Sequence, residues 1–216
     1  MQIAALLIST LALAASVVTV WLTLLRRGTI RMTHPSQIHF AVLPGPQILI
    51  RTLLFCTAKR GRVIESMHVT LRTNETRQNF NIWVNGDMNL SRASGLYVGE
   101  SGVTVSHYFM TPHDQPFQFI EGTYRLEVFA KLVDEDRTRS MWTHELYINH
   151  EQGKALQKSR SGIYFDWGPE AGKYISHVAP MDAKDDHEET LEGLRLAREV
   201  MLLANKMPHT DPAPGA

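Results

Sequence analysis

The residues whose side chains could perform catalysis or bind a metal are scattered along this chain. The nearest grouping is His107, His113 and Asp114, which a hairpin could bring together, but it lacks the paired spacing of zinc ligands. The pairs His144–Glu145 and His187–Glu188 each lack the second histidine of the HExxH zinc motif. We therefore predict no catalytic residue, no metal ligand and no cofactor.

Two further candidates for nucleophilic chemistry, Ser101 and Cys56, lack the surroundings that would activate them. Residues 99–103 begin like the GxSxG turn of serine hydrolases, but their last position is a valine. They also join two predicted strands, whereas that turn joins a strand to a helix. Cys56 ends an apolar run and has no evident neighbour that would activate it as a nucleophile, so we expect it to be buried. It is the single cysteine of the chain, which excludes an intramolecular disulfide.

Aromatic side chains are concentrated in residues 151–182, where glycine and proline interrupt the chain. We expect this segment to form an arm that lays its rings onto the rest of the domain. The same rings are candidates for contact with a protein partner, and the sequence leaves both roles open. The aromatic candidates are Tyr164, Phe165, Trp167 and Tyr174.

A second binding candidate is the segment 183–206, which has the pattern of an amphipathic helix. Apolar residues fill one half of its helical wheel, and Arg195 and Glu199 lie opposite them. This apolar half must be buried, either against the domain or against a partner. Its candidate contact residues are Leu196, Val200 and Leu203. The tail that follows, residues 207–216, is rich in proline and is expected to be disordered.

The N-terminal segment that precedes all of these candidates has the pattern of a membrane anchor. The first 25 residues contain no Asp, Glu, Lys or Arg and are almost entirely apolar. As a helix, they would be long enough to cross a hydrocarbon core of about 30 Å. The rival interpretation is a cleaved signal peptide, which would have a basic start, a shorter apolar core and small residues at its end. The sequence has none of these features, so we predict a transmembrane anchor at residues 1–27.

Positive charges fix the expected orientation of this anchor. Arg26, Arg27 and Arg31 follow the apolar run, and positively charged flanks stay on the cytoplasmic side. We therefore expect the N-terminus to lie outside and the folded domain in the cytoplasm, at a plasma or inner membrane. The lipid bilayer is accordingly the first predicted partner.

Small residues recur on one face of the predicted span. Such a face lets two helices approach closely, which would favour self-association. Alanine and serine are also common in membrane helices that remain single. The residues that form this face are Ala5, Ser9, Ala12 and Ser16.

The charge balance argues against nucleic acid as a partner. The chain has 22 basic and 22 acidic residues, and all of them lie beyond position 25. The soluble part is therefore formally neutral, whereas proteins that bind nucleic acid by charge carry a basic excess.

The remaining sequence predicts a mainly β protein. Residues 47–150 contain about seven or eight short strand patterns separated by turn signals, which is typical of an antiparallel sandwich. The clearest alternation begins at Gly122, and residues 141–148 are expected to return as its hairpin partner. Residues 28–46 contain three prolines and are expected to be a linker, with at most one short strand.

One strand carries a resemblance to a known family of folds. The segment 122–130, with the sequence GTYRLEVFA, resembles the penultimate strand of immunoglobulin-like and fibronectin-III-like domains. In those domains a Gly-x-Tyr opens the strand and the tyrosine makes a corner hydrogen bond. The resemblance implies an immunoglobulin-like β-sandwich, although the paired cysteines of antibody domains are absent. It implies nothing about function, because this fold hosts many activities.

Together these patterns favour a membrane-anchored, non-enzymatic interaction or scaffold module that binds a protein partner or a second copy of itself. One alternative is an outward-facing domain that binds a ligand or carbohydrate, which requires the opposite orientation. The other is an enzyme of an unrecognised type, with His107, His113 and Asp114 as its site.

Overall fold

The computed structural model of the chain describes residues 2–22, 28–43, 45–86, 91–92, 95–112, 117–158 and 161–180, together with Arg195 and Glu199. The strands are β1 (Ile30–Met32), β2 (Gln37–Ala41), β3 (Gln47–Cys56), β4 (Arg62–Arg72), β5 (Arg77–Phe80), β6 (Ile82–Asn85), β7 (Ser91–Arg92), β8 (Leu96–Val98), β9 (Val103–Met110), β10 (Gly122–Leu132), β11 (Arg139–Ile148), β12 (Ser161–Gly168) and β13 (Lys173–Pro180). The helices are α1 (Gln2–Val20) and α2 (His150–Gln157). The predicted mainly β class is confirmed.

The strands form two antiparallel sheets. The larger sheet has eight strands in the order β13-β12-β2-β3-β9-β6-β7, with β1 paired to β3. The smaller sheet has five strands in the order β11-β10-β4-β5, with β8 paired to β4. The β10–β11 hairpin expected from the sequence is present, with Gly122 opposite Ile148.

One hydrophobic core joins the two sheets. Ile38 and Phe40 of the larger sheet belong to the same buried cluster as Leu126 and Val128 of the smaller one. Side chains alternate between the two faces of a strand, so each sheet directs one face toward the other. Burial of these apolar faces is the main force that holds the sheets together.

The helix α1 stands apart from this core. It has 19 residues, none of them buried, and is long and apolar enough to cross a membrane. The hydroxyls of Ser9, Thr10 and Thr19 donate to carbonyl groups three or four residues earlier, so they are satisfied within the helix. The small residues of the predicted self-association face are all exposed on this helix: Ala5, Ser9, Ala12 and Ser16.

The expected linker at residues 28–46 is corrected by the structure, since this segment belongs to the larger sheet. It contributes β1, which pairs with β3, and β2, which lies between β3 and β12. The physical reason is that both strands are short and lie among prolines, so their local signal is weak. Pairing with distant strands and burial of Ile38 and Phe40 override that signal.

The expected covering arm at residues 151–182 is also corrected. It contains most of α2 and the β12–β13 hairpin, and β12 pairs directly with β2, so the segment extends the larger sheet. Asn149 caps α2, because its side chain accepts from the Gln152 backbone N–H at 2.9 Å. Of the residues that indicated an irregular arm, Pro169 and Gly172 lie in the hairpin turn, where Gly172 has φ +60°, whereas Gly162 and Gly168 belong to β12 itself.

The Tyr124 hydroxyl makes two hydrogen bonds to the backbone of the segment that precedes β10. It donates to the Ile120 carbonyl and accepts from the Ile120 N–H, each at 2.9 Å. The ring itself is buried in the core between the sheets. The side chain therefore ties the segment before β10 to the strand.

The predicted C-terminal helix at 183–206 and the tail at 207–216 lie outside the described residues, apart from Arg195 and Glu199. These two residues are helical and exposed. Arg31 of the predicted membrane flank is exposed in β1. The other predicted residues outside the described part are Leu196, Val200, Leu203, Arg26 and Arg27.

Candidate functional site

Five rings meet at one side of the domain, where the edges of the two sheets approach each other. We call this group, His34, Trp142, His144, Trp167 and Tyr174, the aromatic cluster. The His34 ring stacks on Trp167 with centroids 4.5 Å apart, and Trp167 meets Tyr174 edge to face at 5.0 Å. His144 lies 5.6 Å from Trp142 and 5.0 Å from Tyr174. The cluster is thus continuous across both sheets.

The strand geometry explains why these rings meet. Trp167 and Tyr174 are directly opposed in the β12–β13 hairpin. Trp142 and His144 are two residues apart on β11, so they share one face of the smaller sheet. β11 and β13 each lie at one edge of their own sheet. The cluster therefore fills the space between these two edges. His34 comes from the segment between β1 and β2.

Hydrogen bonds fix two of the rings. The Tyr174 hydroxyl donates to the Pro35 carbonyl at 2.9 Å, and the Trp142 indole N–H faces His34 Nδ1 at 3.4 Å. Trp142 is buried, His144, Trp167 and Tyr174 are half-buried, and His34 is exposed. The cluster is therefore an aromatic surface with hydrogen-bonded rings that remains partly open to solvent.

Burial also sets the charge of the cluster. It raises the pKa of the Tyr174 hydroxyl above its ordinary value, so this group stays protonated as a hydrogen-bond donor. Burial lowers the pKa of His144, the neighbouring His34 lowers it further, and the Glu145 carboxylate opposes this shift. His144 is therefore mainly neutral at pH 7, which suits a surface that forms apolar contacts.

The structure separates the four aromatic residues that the sequence predicts as partner contacts. Trp167 and Tyr174 belong to the aromatic cluster. Phe165 is instead buried in the core, with its ring 5.2 Å from Phe40, so it is not accessible to a partner.

Tyr164 lies on the opposite face of β12 from Phe165 and Trp167. Its ring stacks between His39, at 4.0 Å, and His177, at 5.4 Å. It therefore does not contribute to the same surface as Trp167 and Tyr174.

Sequence reasoning missed His34, Trp142 and His144 as members of this site. The alternation of Trp142 and His144 on a predicted strand shows that they share a face, but not what that face meets. The Trp142–His34 contact joins residues 108 positions apart, which no local pattern indicates. His34 was hidden further because its segment had the composition of a linker.

The residues with catalytic or metal-binding chemistry are not assembled into a site in the part of the chain that the structure describes. No group of three or more His, Cys, Asp or Glu there could hold a metal ion. His107 is buried and accepts from the Trp83 indole N–H at 3.1 Å, whereas His113 and Asp114 lie outside the described residues. The two candidates for nucleophilic chemistry also lack a site. Ser101 is exposed in the turn between β8 and β9. Cys56 is buried, as expected.

Known proteins offer no relative from which a function could be transferred. Comparison of the chain with protein families, with curated proteins and with solved structures finds no match in any of the three. The immunoglobulin-like resemblance of residues 122–130 therefore stays a prediction, and the aromatic cluster is the main guide to function.

Proposed function

We propose that this protein is a membrane-tethered, non-enzymatic interaction module that binds a protein partner, or a second copy of itself, through the aromatic cluster. The observation that carries the proposal is a set of five contacting rings that remains partly exposed to solvent at the side of the domain. Tryptophan and tyrosine dominate the binding energy of protein interfaces, particularly where neighbouring contacts exclude water. Rings that are already fixed lose little conformational freedom on binding.

The proposed fold of the module is an immunoglobulin-like sandwich. Two antiparallel sheets with a shared core and the hydrogen bonds of the Tyr124 hydroxyl support this assignment. Such domains commonly use their edges and loops for recognition, and the aromatic cluster lies where two edge strands meet. The fold leaves the partner unspecified.

The proposed orientation places the module in the cytoplasm. An apolar helix at the N-terminus followed by Arg26, Arg27 and Arg31 supports a span with its C-terminal flank inside. Tethering would raise the effective concentration of the module near a partner in the same membrane.

Protease treatment of intact cells tests this orientation. We expect the folded domain, detected through a C-terminal tag, to resist digestion until the membrane is permeabilised. A tag epitope lost from intact cells, while a cytoplasmic marker survives, would contradict the cytoplasmic placement. That result would favour the alternative of an outward-facing ligand- or carbohydrate-binding domain.

Substitution of Trp167 tests the binding surface. We expect proteins that co-purify with the full chain from mild detergent to be strongly depleted by Trp167→Ala, since this change removes a half-buried ring that contacts three others of the cluster. His34→Ala, at an exposed position, should give the same loss with less effect on folding. The measurement is quantitative mass spectrometry, with a second, differently tagged copy included to detect self-association.

Tyr97→Ala is the matched control, because Tyr97 is exposed but belongs to β8, outside the cluster. Unchanged thermal unfolding of each variant shows that the domain is intact. If the same proteins were recovered with all three variants, the aromatic cluster would not be the binding surface.

A further inference from the structure

The larger sheet has a second buried surface on the face that points away from the core between the sheets. There Ile82, Val84, Tyr108 and Met110 form a separate hydrophobic cluster, none of them more than 9% exposed, with Leu49 packed against it. Their sequence neighbours point the other way, since Ile48, Trp83 and Phe109 belong to the core cluster. We call this surface the outer face.

The outer-face cluster is continuous across three neighbouring strands. Leu49 of β3 is paired with Tyr108 of β9, which is paired with Val84 of β6. In the adjacent row, Met110 is paired with Ile82. The pairing therefore builds one apolar patch across β3, β9 and β6 on the outer side of the sheet.

This patch needs a cover. In an antiparallel sheet with one face on the core, the other face is commonly polar and solvated. Neither described helix lies on the outer face: α1 has no buried residue, and Leu156 of α2 packs into the core between the sheets. A segment other than these two helices must therefore exclude water from Val84 and Met110.

We propose that the amphipathic segment 191–204 of the same chain docks its apolar half on the outer face. The strand β13 ends at Pro180 in the same sheet, four strand positions from β9. That distance is about 19 Å at a strand spacing of 4.8 Å. Residues 181–190 could span about 33 Å when extended, so the segment can reach the patch.

The two described residues of the segment support its orientation. Arg195 and Glu199 are helical and exposed, and they lie one turn apart on the polar half of the wheel. On the helical wheel Leu194, Val200 and Met201 lie on the opposite side, which is the side that the proposed docking places against the sheet. Of the two roles that the sequence leaves open for this helix, burial of the outer face favours packing on its own domain. The aromatic cluster, at the side of the domain, stays free.

Radical footprinting of the full chain in detergent tests the docking. The docked helix shields the patch that contains Val84, Tyr108 and Met110. The side chains of Tyr108 and Met110 oxidise readily, so their oxidation measures whether the patch is covered. We expect Leu194→Asp combined with Val200→Asp to raise their oxidation several-fold, since two carboxylates cannot be buried against this patch. Arg195→Asp is the matched control on the polar side and should leave the footprint unchanged.

Met67 of β4 is the internal reference, because it is buried in the core between the sheets and not on the outer face. Its oxidation should stay low in every variant that remains folded. If the aspartate pair also exposes Met67, the milder pair Val200→Ala and Met201→Ala should expose Met110 alone.

Two results would overturn the proposal. One is an unchanged Met110 footprint in the aspartate pair and in the alanine pair, which would assign the cover to another segment. The other is protection of Met110 in the unmodified chain that disappears on dilution, which would assign the cover to a second copy. Protection that is independent of concentration and lost in the variants supports docking within one chain.

Discussion

Replacing Ile38 with alanine is expected to lower the free energy of unfolding by about 2–5 kcal/mol. Ile38 is fully buried in β2, within the core that joins the two sheets. Truncation would remove three carbon atoms from a packed interior and leave a cavity that the surrounding strands fill only partly. Urea unfolding of the full chain in detergent, followed by tryptophan fluorescence, measures this loss.

Ile175→Ala is the matched control, because it makes the same chemical change in the same sheet at a side chain that is 57% exposed. We expect it to alter the free energy of unfolding by less than about 0.5 kcal/mol. Equal unfolding curves for the two variants would contradict the placement of residues 28–46 inside the domain.

Ile38 lies in residues 28–46, where the observed structure differs most from the prediction made from the sequence. The sequence predicts β10 and its partner β11 well, because long alternation and a clear turn make the hairpin a local feature. By contrast, β1 and β2 have three and five residues and become strands through pairing with β3 and β12. The β12 partner lies more than 100 residues further along the chain, so no local pattern identifies it.

The candidate site shows the same limit. Trp167 and Tyr174 could be predicted together because they are close in sequence and face each other across one hairpin. Trp142 and His34 join them only after the edges of the two sheets meet. The alternation of β12 also explains why Phe165 is in the core and Tyr164 on the outer face, once the hairpin is known to be part of the sheet.

The second large effect is expected at Tyr124, which carries the resemblance to immunoglobulin-like domains. Tyr124→Phe should lower the free energy of unfolding by about 1–3 kcal/mol, because both backbone polar groups of Ile120 lose their partner. The ring is retained, so packing in the core changes little. Burial raises the pKa of Tyr124, which keeps the hydroxyl protonated and able to donate well into the alkaline range.

Tyr147→Phe is the control, since it also removes a phenolic hydroxyl but at a side chain that is 55% exposed. Its hydroxyl reaches Glu121 at 3.3 Å in a solvent-exposed contact that water can replace. We expect its urea midpoint to match that of the unmodified chain, whereas the midpoint of Tyr124→Phe falls. If both variants unfolded at the same denaturant concentration, the Tyr124 hydroxyl would contribute nothing to stability. The motif at residues 122–130 would then lose the physical role on which its likeness to immunoglobulin-like strands rests.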